Sequence, residues 1–155
     1  MNRFGLRFHH IGLAVREPND AMSFLREIDY EIGDPIFDPL QNVFVALCVA
    51  ADMPDIELIM PGEGPGPLDL ILKKQDSQFY HTCFVSSDVD GSIAAMHEAG
   101  HQVVPVAPPK PAVLFEGKLV SFYQVVGFGL IELIEDAGTN AASVPTKSSK
   151  TTPRP

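Results

Sequence analysis

The sequence FHHIGLAV at residues 8–15 has a counterpart later in the chain, FYHTCFV at residues 79–85. Both stretches are short and largely apolar, which predicts a β-strand in each place. A second pair of similar phrases follows, DIELI at residues 55–59 and LIELI at residues 130–134. A chain that repeats an opening and a closing strand in the same order is typical of a duplicated supersecondary unit.

Between its paired strands, each half shows one helix and two further strands. Helical spacing of apolar residues begins after Asn19 or Asp20 in the first half, and after Asp88 or Asp90 in the second. The further strand signals lie at residues 35–37, 42–49, 102–106 and 118–124. The order β-α-β-β-β is therefore predicted twice, which indicates the α+β class.

A glycine- and proline-rich stretch, PGEGPGP at residues 61–67, separates the two halves. A short helix at residues 68–74 is expected to bridge them and to pack on the outside of the sheet. The predicted divisions are module one at residues 7–61, a linker with the short helix at 62–77, and module two at 78–136.

The amino-acid composition limits the classes of protein to which this chain can belong. Of 155 residues, 45% are hydrophobic and 20% charged, so the chain can bury the core of one domain, expected at residues 1–136. Residues 137–155 lack aromatic side chains and are rich in Ser, Thr and Pro, which predicts a disordered tail. The net charge of −9 argues against nucleic-acid binding.

The chain is also expected to be a cytoplasmic protein without a membrane span. No apolar run reaches the roughly 18–20 residues that cross a bilayer. No apolar segment follows Arg3 and Arg7, so no export signal is expected. Cys48 and Cys83 lie in apolar stretches, which favours buried free thiols in a reducing compartment.

Each half places one histidine on its first strand and one glutamate in its last strand: His10 with Glu57, and His81 with Glu132. If the halves are built alike, a pseudo-twofold axis brings these four side chains toward one point. Imidazole nitrogen and carboxylate oxygen together form a common ligand set for divalent metals. The sequence therefore predicts one divalent ion and leaves its identity open among Zn, Ni, Co, Mn and Fe.

Burial gives an independent reason for the same site. Glu57 and Glu132 each stand between Ile and Leu in runs that otherwise indicate buried strands. An unpaired ionised carboxylate is very costly there, and a bound cation removes the cost for both glutamates. A solvated strand face is the alternative, but Ile59 and Ile134 share their side under strict alternation.

The other histidines are assigned structural roles. Strict alternation points His9 to the face opposite His10 and makes Tyr80 its counterpart, so a packing role is predicted for His9. His97 and His101 lie in and just after a predicted helix, and we expect both to face solvent.

The duplicated unit with its paired His and Glu resembles the vicinal oxygen chelate superfamily, which includes glyoxalase I and methylmalonyl-CoA epimerase. The resemblance implies two βαβββ modules that form an open, eight-stranded, barrel-like mixed sheet. By this resemblance, the family's metal-ligand positions correspond to His10, Glu57, His81 and Glu132. The motifs that carry it are FHHIGLAV at 8–15, IELIMP at 56–61, FYHTCFVSSDVDGSIAAMHEAGH at 79–101 and GLIELIE at 129–135.

The resemblance also implies a function. The leading expectation is a metal-dependent isomerase, epimerase or lyase that moves a proton on carbon next to a carbonyl, through a metal-stabilised enolate. Its substrate would be a small acyl-thioester-like or hemithioacetal-like metabolite, as in methylmalonyl-CoA epimerase. Glu132 is the expected base, with Glu57 second, and a homodimer is the expected assembly.

Departures from the epimerase pattern keep alternatives open. Lactoylglutathione lyases commonly have Glu at the position of Glu57, where many epimerases have Gln, so lactoylglutathione lyase is one alternative. The second base of the epimerases has no counterpart at Leu40 or Gln41. An antibiotic-binding resistance protein is an alternative of another class, although such binders usually lose the ligand set. Extradiol dioxygenases and fosfomycin-modifying transferases are disfavoured because they use two His and one Glu.

A mostly apolar substrate pocket is expected beside the metal. The segment 108–118 starts with prolines and is predicted to form a rigid lip whose lysines grip an anionic substrate. Core packing of the aromatic residues and solvated lysines are the competing interpretations. The candidate substrate-contacting residues are Gln41, Phe44, Lys110, Phe115, Lys118 and Phe122.

Overall fold

The computed structural model describes residues 2–136 and Gly138. These residues form one sheet of nine strands, three α-helices and a 3-10 turn at Val113–Phe115. The helices are α1 Pro18–Glu27, α2 Leu68–Ile71 and α3 Val89–Glu98. The strands are β1 Arg7–Val15, β2 Glu31–Ile32, β3 Ile36–Asp38, β4 Val43–Val49, β5 Asp55–Pro61, β6 Ser77–Ser86, β7 Val103–Pro111, β8 Leu119–Val125 and β9 Gly129–Glu135.

The sheet consists of two similar halves that meet where β1 pairs with β6. Its order is β2-β4-β5-β1-β6-β9-β8-β7, with β3 also paired to β4. β1 runs parallel to β5, and β6 parallel to β9. The other pairs are antiparallel. The predicted mixed α+β architecture is confirmed, and β1, β5 and β4 correspond to β6, β9 and β8.

The sheet has nine strands where eight were expected. The first half breaks its outer strand into β2 and β3, whereas the second half has the single strand β7 in that place. Gly33 and Pro35 lie in the break, and a proline cannot donate a ladder hydrogen bond. The N–H of Gly33 still donates to the carbonyl oxygen of Leu47 at 2.9 Å, so the segment stays next to β4.

Both faces of the central strands are covered, which explains why their sequences are almost continuously apolar. On the outer face of the first half, Leu25 of α1 packs in a buried cluster with Leu58 of β5. On the outer face of the second half, Met96 of α3 packs in a cluster with Leu133 of β9. The opposite, inner face is partly covered by α2 and carries Glu57 and Glu132.

The helix α2 packs on this inner face, and the prediction that it lies outside the sheet is wrong. Leu68 and Leu72 are buried in a cluster with Ala14 and Ile59. Because Ile59 lies two residues after Glu57 on β5, the two side chains share a face. An apolar helical pattern identifies a buried side of a helix but not which face of the sheet buries it.

The helix starts follow different capping rules. α1 begins at Pro18 after Glu17, earlier than Asn19 or Asp20 suggested, because proline's fixed φ suits the first helical position. α3 is capped as predicted by Asp88, whose side chain accepts a hydrogen bond from the N–H of Gly91 at 2.9 Å.

The strand β7 continues through Pro111, so the proline-rich start of the predicted lip, residues 108–111, is an edge strand. Prolines are tolerated at an edge, where their missing N–H would face solvent. The register to β8 shifts between Pro105 and Ala107 and again before Lys110. Near the end of β7, Lys110 Nζ donates to the carbonyl oxygen of Leu40 at 3.2 Å. This contact joins the two halves over the inner face.

No helix within residues 2–136 is both long and apolar enough to cross a membrane. The expected disordered tail at residues 137–155 lies outside the described residues, apart from Gly138.

Candidate functional site

The strand β1 contains a β-bulge at its first histidine. His9 and His10 together oppose Cys83 of β6, so one residue of β1 is extra in the pairing. A bulge breaks the alternation and re-aims side chains. The ring centroids of His9 and His10 lie 5.2 and 5.5 Å from that of Phe115, so both histidines face the same residue. The prediction that His9 points to the opposite face is therefore wrong.

The strand β6 contains the matching bulge. Tyr80 and His81 together oppose Gly12 of β1. As a result Tyr80 packs against the inner-face cluster that includes Leu72, and it lines the same cavity as Glu57. Sequence reasoning missed this residue. The only signal was its position before His81, equivalent to that of His9.

The four predicted metal ligands converge on one point of the inner face. The Nε2 atom of His10 lies 3.4 Å from Glu57 Oε2 and 3.3 Å from Glu132 Oε2. The Nε2 atom of His81 lies 3.5 and 3.6 Å from the same two oxygens. The two Nε2 atoms are 3.3 Å apart. The duplicated halves thus supply a nitrogen and an oxygen each.

The donor set fits a divalent ion. All four side chains are buried, with between 0 and 6% of each residue exposed. Among the described residues, Glu132 Oε2 has no hydrogen-bond partner although it is buried. Ligand atoms around a tetrahedral ion with bonds of about 2.0–2.1 Å are about 3.3–3.4 Å apart. The observed separations match that spacing, so His10, Glu57, His81 and Glu132 form a candidate metal centre.

The two imidazoles respond differently to this environment. Burial lowers the pKa of His81 to about 4, which keeps its ring neutral, the form that binds metals. Burial also opposes the charge on His10, but the neighbouring carboxylates of Glu132 and Glu57 outweigh it and raise its pKa to about 9. In the protein without an ion, a proton on His10 therefore offsets part of the carboxylate charge.

Gly12 provides the space that His81 occupies. A Cβ atom added at Gly12 would lie 2.1 Å from Cε1 and 2.3 Å from Nδ1 of the His81 ring. Cβ atoms do not approach other heavy atoms so closely, so the ring and a side chain at position 12 exclude each other. This requirement is invisible in the sequence because it arises across the β1–β6 pair.

A cavity of about 420 Å³ opens beside the candidate metal centre. Glu57 and Glu132 lie in its wall, and most of the other lining residues are apolar and come from both halves. Among the described residues that line it, Lys110 is the only basic one and the two glutamates are the only acids. The cavity therefore combines an apolar wall, two carboxylates and one cation.

Three of the six predicted substrate residues line this cavity: Gln41, Lys110 and Phe122. The centroid of the Phe122 ring is 5.6 Å from that of His81. Gln41 is held by Asp38, whose carboxylate accepts from the Gln41 side chain at 3.1 Å and from its N–H at 3.2 Å.

The other three lie outside the cavity. Phe44 faces away because its neighbours on β4 point inward, and its ring is 5.0 Å from that of Phe37. Phe115 stacks on the His10 ring and lines a separate cavity of about 270 Å³, together with Lys118. Lys118 forms an ion pair with Asp136 at 3.2 Å. These three residues were expected to contact the substrate, but they do not line the cavity beside the candidate metal centre.

Comparison with known proteins agrees with this architecture. The sequence model of the glyoxalase/bleomycin resistance protein/dioxygenase superfamily matches residues 9–122. None of the curated proteins matches the chain. The methylmalonyl-CoA epimerase of Mycobacterium tuberculosis is 21% identical with a TM-score of 0.67, and the alignment covers 90% of this chain and 92% of that one.

Two further structures have the same fold. A hypothetical protein of Bacillus halodurans C-125 is 21% identical, with a TM-score of 0.68 and coverage of 86% of this chain and 96% of that one. A Streptomyces coelicolor methylmalonyl-CoA epimerase variant in complex with 2-nitronate-propionyl-CoA is 22% identical, with a TM-score of 0.62 and coverage of 85% and 98%. Together with the match over residues 9–122, these findings establish that the chain belongs to the glyoxalase/bleomycin resistance protein/dioxygenase superfamily.

Proposed function

We propose that this protein is a metal-dependent isomerase or epimerase that moves a proton on a carbon next to a carbonyl group. The observation that carries the proposal is the convergence of two imidazoles and two carboxylates in the wall of a largely apolar cavity. The substrate class is a small acyl thioester, as in the methylmalonyl-CoA epimerases that share the fold.

The proposed cofactor is one divalent ion held by His10, Glu57, His81 and Glu132. Such an ion supplies Lewis-acid polarisation of a substrate carbonyl. The chain's own residues exclude water and orient the substrate. The apolar wall excludes water from the reacting carbon, which strengthens electrostatic interactions inside the cavity. Gln41 and Phe122 orient the substrate against the two glutamates.

Glu132 is the proposed base. Its carboxylate would take the proton from the carbon next to the carbonyl and return it. Epimerisation with two bases requires a second carboxylate on the other side of the substrate. Asp38 is the acid nearest in sequence to Leu40 and Gln41, but its oxygens accept three hydrogen bonds from these two residues. Glu57 is therefore the proposed second base.

The test uses purified protein stripped of metal with a chelator and then reloaded with Zn²⁺, Co²⁺, Ni²⁺ or Mn²⁺. We expect one ion per chain, loss of α-proton exchange from methylmalonyl-CoA in D₂O on stripping, and recovery on reloading. Full activity after exhaustive metal removal would refute the proposal.

A second substrate in the same assay separates the alternatives. Turnover of methylglyoxal with glutathione, in place of exchange, would identify a lactoylglutathione lyase, which the acidic ligand Glu57 favours. Stable binding of small molecules with no turnover of either substrate would identify a binding protein. Light scattering of the same samples addresses the homodimer, which stays a prediction, as does the cytoplasmic location.

Lys110 is expected to select for an anionic substrate. In a protein with a net charge of −9, it is the one basic side chain among the described residues that line the cavity beside the candidate metal centre. Because its amine is partly solvated, Lys110→Ala should raise KM for methylmalonyl-CoA by about fivefold and leave kcat nearly unchanged. Lys118→Ala is the matched control, since Lys118 pairs with Asp136 outside that cavity. Equal effects of the two substitutions would contradict the assignment.

A further inference from the structure

We infer that His9 is a positioning residue that fixes the tautomer and orientation of the metal ligand His10. The inference rests on the proposed metal centre. Its basis is a direct contact between the two rings: His9 Nδ1 lies 2.9 Å from His10 Nδ1. This separation is typical of an N–H···N hydrogen bond.

The bulge in β1 creates this contact. Consecutive residues of a regular strand point to opposite faces, so their rings cannot meet. Here His9 is the extra residue opposite Cys83, and its ring stands edge-on to His10, with centroids 5.1 Å apart. Phe115 packs on both rings at once. The pair is therefore held by backbone geometry and by an aromatic neighbour.

The direction of the hydrogen bond follows from the geometry at the other end of the ring. His10 Nε2 faces Glu57, Glu132 and His81, where a ligating imidazole needs its lone pair. A neutral imidazole has one N–H, which must then be on Nδ1. Nδ1–H of His10 donates to Nδ1 of His9, which accepts with its own proton on Nε2. Metal-binding histidines commonly donate their second N–H in this way.

The other histidine ligand, His81, lacks a hydrogen bond of this kind. Among the described residues, His81 Nδ1 has no hydrogen-bond partner although it is buried. Its ring is confined by packing, with Tyr80 on one side and Phe122 on another. The two halves therefore hold their histidines differently: hydrogen bonding orients His10, and steric confinement orients His81.

A competing interpretation is a second metal ion bound by His9, His10 and Cys83. Their donor atoms all lie within 4.8 Å of one another. The distance between the two Nδ1 atoms argues against it. At 2.9 Å the pair is closer than the nitrogen and oxygen donors of the main centre, which are 3.3–3.6 Å apart. The short spacing fits a shared proton better than a shared ion.

Three variants at His9 test the inference, with Co²⁺ as the probe. His9→Phe keeps an aromatic ring against Phe115 but removes the acceptor. His9→Asn keeps an acceptor, because its Oδ1 takes nearly the place of Nδ1. His9→Ala removes both. We expect Co²⁺ affinity to fall about 10–100-fold in His9→Phe and His9→Ala, and to stay within about threefold of the unmodified protein in His9→Asn.

Two readouts do not depend on activity. The Co²⁺ absorption spectrum should change in His9→Phe and not in His9→Asn. In the Zn²⁺-loaded protein, proton NMR should show the Nδ1–H of His10 shifted downfield by a hydrogen bond only when residue 9 is an acceptor. Circular dichroism confirms that each variant is folded. Unchanged Co²⁺ affinity and spectrum in His9→Phe, or two ions per chain in the unmodified protein, would overturn the inference.

The outcomes also separate this inference from the proposed function. If Co²⁺ affinity follows the expected pattern but the loaded protein has no exchange activity, the proposed function fails and the role of His9 stands. If the protein is active and His9→Phe binds Co²⁺ normally, the proposed function stands and the role of His9 fails. If the unmodified protein binds no divalent ion, both fail.

Discussion

Substituting Gly12 by alanine is expected to remove His81 from the metal centre and to lower Co²⁺ affinity by at least about 100-fold. The added Cβ would lie 2.1–2.5 Å from three atoms of the His81 ring. Gly12 and His81 are direct partners across β1 and β6, so the strands cannot separate without breaking their ladder. The ring has to leave instead, and one of the four donors is lost. Titration with Co²⁺, followed by absorbance, measures the effect.

A double-mutant cycle provides the control for Gly12→Ala. His81→Ala removes the same ligand and the clashing ring together. The double variant Gly12→Ala/His81→Ala should lose no more Co²⁺ affinity than either single variant, and it should melt at a higher temperature than Gly12→Ala alone. Wild-type Co²⁺ affinity in Gly12→Ala, or additive losses in the double variant, would show that Gly12 does not hold the space for His81.

Glu132→Gln is expected to reduce α-proton exchange from methylmalonyl-CoA by about 10²–10⁴-fold at saturating metal. The amide has nearly the same shape and can still offer an oxygen to the ion, but it cannot accept a proton at neutral pH. Glu132 is buried and lies in the cavity wall, so water cannot readily replace it as a base. The exchange rate in D₂O, measured at several Co²⁺ or Zn²⁺ concentrations, separates lost catalysis from weakened metal binding.

Glu57→Gln is the matched control for Glu132→Gln because Glu57 occupies the equivalent position in the other half. Both carboxylates lie 3.3–3.6 Å from the same two Nε2 atoms, so both substitutions should weaken metal binding similarly. Exchange should fall by no more than about tenfold in Glu57→Gln, while epimerisation, which needs the second base, should fall further. A larger loss of exchange in Glu57→Gln than in Glu132→Gln would reverse the two assignments.

The duplication could be predicted from the sequence because it is written in local patterns. The paired strands and the helix cap at Asp88 depend on residues close together in the chain. The structure contains both the strands and the cap. The pairing of His10 with Glu57, and of His81 with Glu132, followed from comparing the two halves. Two equivalent units that face each other bring equivalent residues together, and the four donor atoms lie within 4.8 Å of one another.

Features that depend on contacts between distant segments could not be predicted in the same way. The apolar spacing of α2 indicates a buried helix, but only the packing of Leu68 against β1 and β5 shows that it covers the inner face. The break between β2 and β3 became apparent only from pairing with β4. Lys110 reaches the cavity because the two ends of the sheet approach each other.

Local sequence patterns predicted the two duplicated units and the four residues that meet at the inner face, and the family resemblance implied the mixed sheet. The neighbours of these four residues became apparent only from the packed strands: His9 beside His10, Tyr80 in the cavity wall, and Gly12 beneath His81. These neighbours depend on the register of β1 against β6. Side chains alternate along a regular strand, but each bulge shifts that alternation by one residue, and bulges form through pairing between strands far apart in the chain.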